Sequence, residues 1–182
     1  MTALILHGVS GNAGKHWMQW LHDELVKLGI EVIMPTLPNS DNPDFFEWKK
    51  TILNLIKDVE LSELIVFGHS LGNAAALEIV QDLDKPIKAF ISVAGFYQDY
   101  GSEINTEYMQ KCDIDIKKAR ERIENAFVVY GDNDPYVPQN VLNKLAVGLE
   151  VEPIVIKSGG HLNTDAGFTE LPVLIELVNK II

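Results

Sequence analysis

The chain has 182 residues (20.3 kDa), 47% of them hydrophobic and 23% charged, with 13 Gly and 8 Pro. That is enough chain for one domain with a core that needs no cross-links, and the composition excludes disorder, collagen and coiled coil. A single cysteine, Cys112, rules out an internal disulfide framework and a cysteine-cluster zinc site, while a net charge of −11 and a pI of about 4.8 argue against nucleic acid or anionic membrane surfaces as partners.

Short apolar runs alternate with longer amphipathic stretches along the whole chain. The pattern predicts a strand over Ala3–His7, a Gly-rich turn, a helix near Gly14–Leu28 stopped by Gly29, and a strand over Ile30–Met34. A Pro-marked loop (Pro35, Pro38, Pro43) leads to a helix over Phe45–Val59, then a strand over Leu64–Phe67 that ends at Gly68. A helix over Leu71–Leu83 and a strand over Ile87–Val93 follow. Residues 95–125 are polar and Tyr-containing, with helical spacing only over Lys117–Ile123, and read as a short cap insertion rather than a second domain. Strands over Phe127–Tyr130 and Glu152–Ile156, and helices near Pro138–Leu149 and Pro172–Ile181, complete the chain. Apolar runs without polar alternation suit strands covered on both faces, so the expected fold is α/β: a doubly wound, mostly parallel sheet in a single domain over residues 1–182. No apolar stretch approaches the ~20 residues of a membrane span, and the N-terminus lacks the basic start and cleavage site of a signal peptide. The expected location is the cytoplasm.

Gly68-His69-Ser70-Leu71-Gly72 stands between a predicted strand and a predicted helix, with Ala74–Ala76 close behind. A serine in so tight a turn is strained, so its flanking positions must lack bulk, and the turn lifts its hydroxyl above the sheet at a helix N-terminus. A serine hydroxyl is a weak nucleophile without a base, and the base needs an orienting carboxylate. On such a sheet these follow in the order Ser, acid, His, each on a loop after a strand. His161, within Ser158-Gly159-Gly160-His161, is the only histidine beyond Ser70. Two carboxylates compete for the acid in Tyr130-Gly131-Asp132-Asn133-Asp134-Pro135: Asp134 is preferred, with Asp132 shaping the loop. The backbone amides of Leu71 and of Val9, in the loop after the first strand, are the expected oxyanion donors. His7 and His69 are expected to be structural. Trp17, Trp20 and Trp48 lie at core spacing, with Trp17 close enough to the first loop to edge a pocket.

Other signals fail on inspection. A phosphate-binding loop ending at Gly14-Lys15 would need Gly where Val9 stands and Ser or Thr where His16 stands. Asp132-Asn133-Asp134 suggests a calcium loop, but Pro135 follows and no Glu occupies the twelfth position. No cofactor or metal is implied, and Cys112 has no histidine nearby in sequence.

These residues resemble the α/β-hydrolase superfamily, and the whole chain resembles its small serine hydrolases related to retinoblastoma-binding protein 9. The resemblance is carried by His7-Gly8, Trp17 with Trp20, Pro35 to Pro38, Trp48, Gly68 to Gly72, Asp134-Pro135 with Val137-Pro138, Gly160-His161 and Phe168 to Pro172. It implies a six-stranded parallel sheet, the minimal form of the fold, and carries over Ser70, Asp134 and His161 as a catalytic triad. The expected activity is hydrolysis of small carboxylic esters through an acyl-enzyme. An amidase, thioesterase or C–C hydrolase would show the same residues. A rival of another class is an inactive member of the fold that binds a protein through its 95–125 surface.

Overall fold

A computed structural model describes residues 1–182. Six strands, β1 (Thr2–Leu6), β2 (Glu31–Ile33), β3 (Leu64–His69), β4 (Ile87–Val93), β5 (Ile123–Gly131) and β6 (Ile154–Ile156), form one sheet in the order β2-β1-β3-β4-β5-β6. Every neighbouring pair is parallel. Seven α-helices connect them: α1 (Met18–Lys27), α2 (Phe45–Ile56), α3 (Leu71–Val80), α4 (Thr106–Met109), α5 (Ile116–Glu121), α6 (Gln139–Gly148) and α7 (Val173–Val178). The fold is the expected doubly wound α/β sheet.

The two faces of the sheet explain the uninterrupted apolar strands. Along β1, Leu4 and Leu6 join a core of 32 buried residues shared with α2, α3 and α6, whereas Ala3 and Ile5 join a second core of 18 shared with α1 and α7. Both faces are dry, so polar alternation has no place in these strands. No helix is long and apolar enough to cross a membrane.

Several boundaries depart from the sequence reading, each for a local reason. The first helix begins at Met18 rather than near Gly14, because Gly14 (φ 79°) and His16 (φ 61°) adopt left-handed conformations that a helix cannot contain. The fifth strand starts four residues early at Ile123. Polar Glu124 and Asn125 disguise it, although Asn125 Nδ2 donates to the Lys88 carbonyl on β4 at 3.0 Å. The sixth strand is cut to Ile154–Ile156, after Pro153, which has no N–H to give a ladder. The third helix ends at Val80, and Gln81 beyond it turns its side chain to residues 113 and 115. Within 95–125 the helical stretch is Ile116–Glu121, preceded by the single turn α4.

Strand order reverses around β1: the chain moves outward to β2, then returns to β3 on the other side. A crevice opens at such a reversal beyond the strands' C-terminal ends. The loops leaving β1 and β3 flank it, and these carry Val9 and Ser70.

Candidate active site

Ser70 joins β3 to α3 with φ 54° and ψ −124°, a conformation costing a non-glycine residue on the order of 1–3 kcal/mol. Its surroundings enforce this backbone. A Cβ on Gly72 would fall 2.5 Å from the His7 carbonyl oxygen, and one on Gly68 would fall 2.6 Å from Asn73 Cα. Only hydrogen fits at either place, so α3 packs directly against the ends of β1 and β3. All ten residues of α3 are buried.

The β1 loop crosses the elbow at equally close range. A Cβ on Gly8 would lie 2.8 Å from Ser70 Cβ and 3.2 Å from its Oγ. His7 fixes this loop: its Nδ1–H donates to the Gly8 carbonyl at 2.8 Å and its Nε2 accepts the Leu37 N–H at 2.8 Å. Both ring nitrogens are thereby committed, and burial lowers the His7 pKa. Neither the Val9 nor the Leu71 N–H bonds a backbone carbonyl outside the helices and strands. Leu71 opens α3, so its N–H has no acceptor within the helix either.

His161 and Asp134 come from loops 27 residues apart and meet at 2.7 Å, Nδ1 to Oδ2. The Asp134 side chain is fully buried behind the imidazole, and its Oδ1 accepts the N–H groups of Tyr136 (2.8 Å) and Val137 (3.0 Å). Those bonds aim Oδ2 at the ring. Asp132 does not approach His161: it is exposed, and its Oδ1 accepts the Ser158 N–H at 2.7 Å. Asn133 does similar work, accepting the Gly160 N–H at 2.7 Å. The two side chains clamp the turn that presents His161, where Ser158, Gly160 and Leu162 all have positive φ. From the other side, Trp17 Nε1–H donates to the Leu162 carbonyl at 2.9 Å and His69 Nε2–H to the His161 carbonyl at 3.1 Å. His69 is buried and its pKa lies well below 6.5 through desolvation, so it holds the loop as a neutral ring. Trp17 is completely buried in the core, as its spacing predicts, and is not among the residues that line the cavity. Asn133 and the brace from Trp17 escaped sequence reading, because an Asn in a turn and a Trp in a core carry no sign of their targets.

Ser70, His161 and Val9 line one cavity of about 420 Å³, within the roughly 300–1,000 Å³ usual for small-molecule sites. Asp134 stands behind His161 and Leu71 is buried beneath Ser70. No hydrogen bond joins Ser70 Oγ to the imidazole in this structure. Catalytic contacts of this kind commonly tighten only when substrate binds. Tyr100, Ser102, Ile104 and Asn105 of the 95–125 segment form one side of the cavity, and Tyr136 sets its ring edge-on to His161 at 5.1 Å between centroids.

Known proteins share this architecture. YdeN of Bacillus subtilis (strain 168), named as a hydrolase, is 26% identical over 178 residues, covering 97% of this chain and 93% of YdeN. The crystal structure of the ydeN product superposes with a TM-score of 0.91 at 25% identity, over 99% of this chain and 97% of that one. Est1E from Butyrivibrio proteoclasticus, solved with ferulic acid bound, has the same fold with a TM-score of 0.75 at 16% identity, covering 98% and 86% of the two chains. A structure from a study of Nitrososphaera gargenis carboxylesterases gives 0.73 at 10% identity, covering 99% and 90%. The sequence pattern of one family spans nearly the whole chain, residues 3–180, and by that match the chain belongs to the serine hydrolase family.

Proposed function

We propose that the chain hydrolyses small carboxylic esters through an acyl-enzyme on Ser70, with His161 as general base and Asp134 as its orienting carboxylate. The observation that carries this reading is the 2.7 Å Asp134–His161 bond, standing in the same crevice as a serine held at φ 54°. Because Nδ1–H donates to Asp134, the imidazole keeps its Nε2 lone pair for the serine proton. Ser70 Oγ then bonds to the ester carbonyl carbon, its proton passing to His161 Nε2. The carbonyl oxygen gains negative charge, for which the Val9 and Leu71 N–H groups and the N-terminus of α3 are the available donors. As the C–O bond breaks, His161 returns the proton to the departing alcohol. Water repeats the cycle on the acyl-serine and releases the acid.

The 95–125 segment acts in this reading as a short cap. A cavity of about 420 Å³ under such a cap favours acetyl and butyryl esters over long-chain acyl esters. The test is the kcat/KM series from acetyl to palmitoyl esters in wild type and Ser70→Ala. The reading expects a decline with chain length and loss of all turnover in the variant. Fastest turnover of palmitoyl esters would refute the capped site, and undiminished turnover by Ser70→Ala would refute the nucleophile.

A further inference from the structure

We propose that His16 and Asn163 form a two-donor subsite that binds an acceptor oxygen next to the scissile ester, so that oxygenated short-chain esters are preferred to their all-carbon counterparts. The inference rests on the ester-hydrolase reading and specifies its substrate class.

Both side chains line the cavity that contains Ser70, and neither has a part in the mechanism above. His16 is in the left-handed region at φ 61°, strain that persists only where the surroundings impose it. Its ring is tied to the 3₁₀ turn Thr164–Ala166, which the chain reaches 148 residues later. The Thr164 N–H donates to His16 Nδ1 at 3.1 Å, and Thr164 Oγ1 lies 2.8 Å from the same atom. A backbone N–H can only donate, so Nδ1 holds the lone pair and the neutral ring carries its hydrogen on Nε2. Nε2 has no protein partner. Desolvation, reinforced by Lys15, pushes the His16 pKa down to about 4, which keeps this tautomer neutral.

The same turn orients Asn163. The Ala166 N–H donates to Asn163 Oδ1 at 3.1 Å, which fixes the amide's orientation and leaves both Nδ2 hydrogens without a protein acceptor. Asn163 is only 7% exposed, so its amide has little contact with solvent other than through the cavity it lines. One turn therefore holds two residues of the cavity lining whose side-chain N–H groups have no protein acceptor. The nearby cation does not compete, since Lys15 Nζ is bonded to the Ser10 carbonyl at 2.6 Å. Asp165 also lines the cavity and disfavours an anion there, so the fitting acceptor is a neutral hydroxyl, ether or carbonyl oxygen.

The test compares substrates that differ by one oxygen. On the acyl side these are the p-nitrophenyl esters of methoxyacetate and butyrate. On the alcohol side they are the butyrate esters of 2-methoxyethanol and butanol. Intrinsic reactivity cancels when each kcat/KM ratio is compared between wild type and variants. His16→Asn suits the left-handed backbone and offers an Oδ1 to the Thr164 N–H, but has nothing at the place of Nε2. Asn163→Asp keeps the Ala166 bond and loses the donors. Each should lower the oxygen preference in the same arm by about five-fold, the worth of one neutral hydrogen bond. His16→Gln, which carries an N–H to that place, should restore it. Loss in the first arm puts the oxygen in the acyl group, and loss in the second puts it in the alcohol. Unchanged ratios in both arms, in enzymes that still hydrolyse these esters, overturn the subsite alone. A wild type that turns over none of them overturns the ester reading and the subsite with it.

Discussion

At the scale of single residues, the arrangement separates two carboxylates that stand two positions apart in the chain. Asp134 lies behind the imidazole with every accessible face covered, whereas Asp132 is exposed and bonds only the backbone at Ser158. Asp134→Asn should therefore cost on the order of 10⁴ in kcat, the scale seen when a triad histidine loses its orienting charge. Asp132→Asn should cost far less, since an amide oxygen still accepts the Ser158 N–H. Steady-state kinetics on both variants decides between them, and the reverse order of losses would move the orienting role to Asp132. A second residue-scale test concerns the histidines. His16 and His69 are held neutral by desolvation, so the acid limb of kcat/KM should survive His69→Gln even if the rate falls. A limb that vanishes with His69 would contradict the assignment of His161 as base.

At the scale of elements, the 95–125 segment, which lines the cavity, is tied to the third helix by a polar cluster around the buried Glu78 and Gln81. Glu78 on α3 is 5% exposed, pairs with Lys49 on α2 at 2.9 Å and accepts the Asp113 N–H at 3.0 Å, while Gln81 bonds residues 113 and 115. Glu78→Ala removes the Lys49 partner and orphans the Asp113 amide, at a cost of about 2 kcal/mol. A lowered urea midpoint, with faster hydrogen exchange at Asp113 and Asp115, would confirm the tether. Unchanged exchange there would refute it. This cluster was not legible in the sequence. Glu78 falls on what reads as an ordinary helix, and its partners lie about 30 residues away on either side. The elbow was legible because its constraint is local: Gly68 and Gly72 answer clashes within a few residues of Ser70 and the end of β1. The order Ser70, Asp134, His161 could be read for a related reason, since each closes a strand at one end of a parallel sheet. Boundaries failed where tertiary contacts outweighed pattern, as at His16, whose ring bonds Thr164, and at Glu124 and Asn125, whose strand pairs with β4.

At the scale of the molecule, three partly or fully desolvated histidines tie folding to pH. The folded chain holds His7, His16 and His69 below the ordinary value of 6.5, His16 at about 4, while in the unfolded chain all three titrate near 6.5. As pH falls below 6.5 the unfolded state takes up protons that the folded state refuses, so stability is full above 6.5 and declines toward 4. Urea midpoints from pH 7.5 to 4.5 should fall steadily, and a flat profile would contradict the desolvation of these rings. The doubly wound sheet brings the loops after β1, β3, β5 and β6 to one end, so the account stands or falls on whether that end makes a reactive serine. The most direct measurement is labelling of the intact protein with a fluorophosphonate, followed by peptide mass spectrometry. The account predicts one adduct, on Ser70, absent in Ser70→Ala and strongly slowed in His161→Ala. No adduct on the folded wild type, or an adduct on another residue that persists in Ser70→Ala, would contradict it.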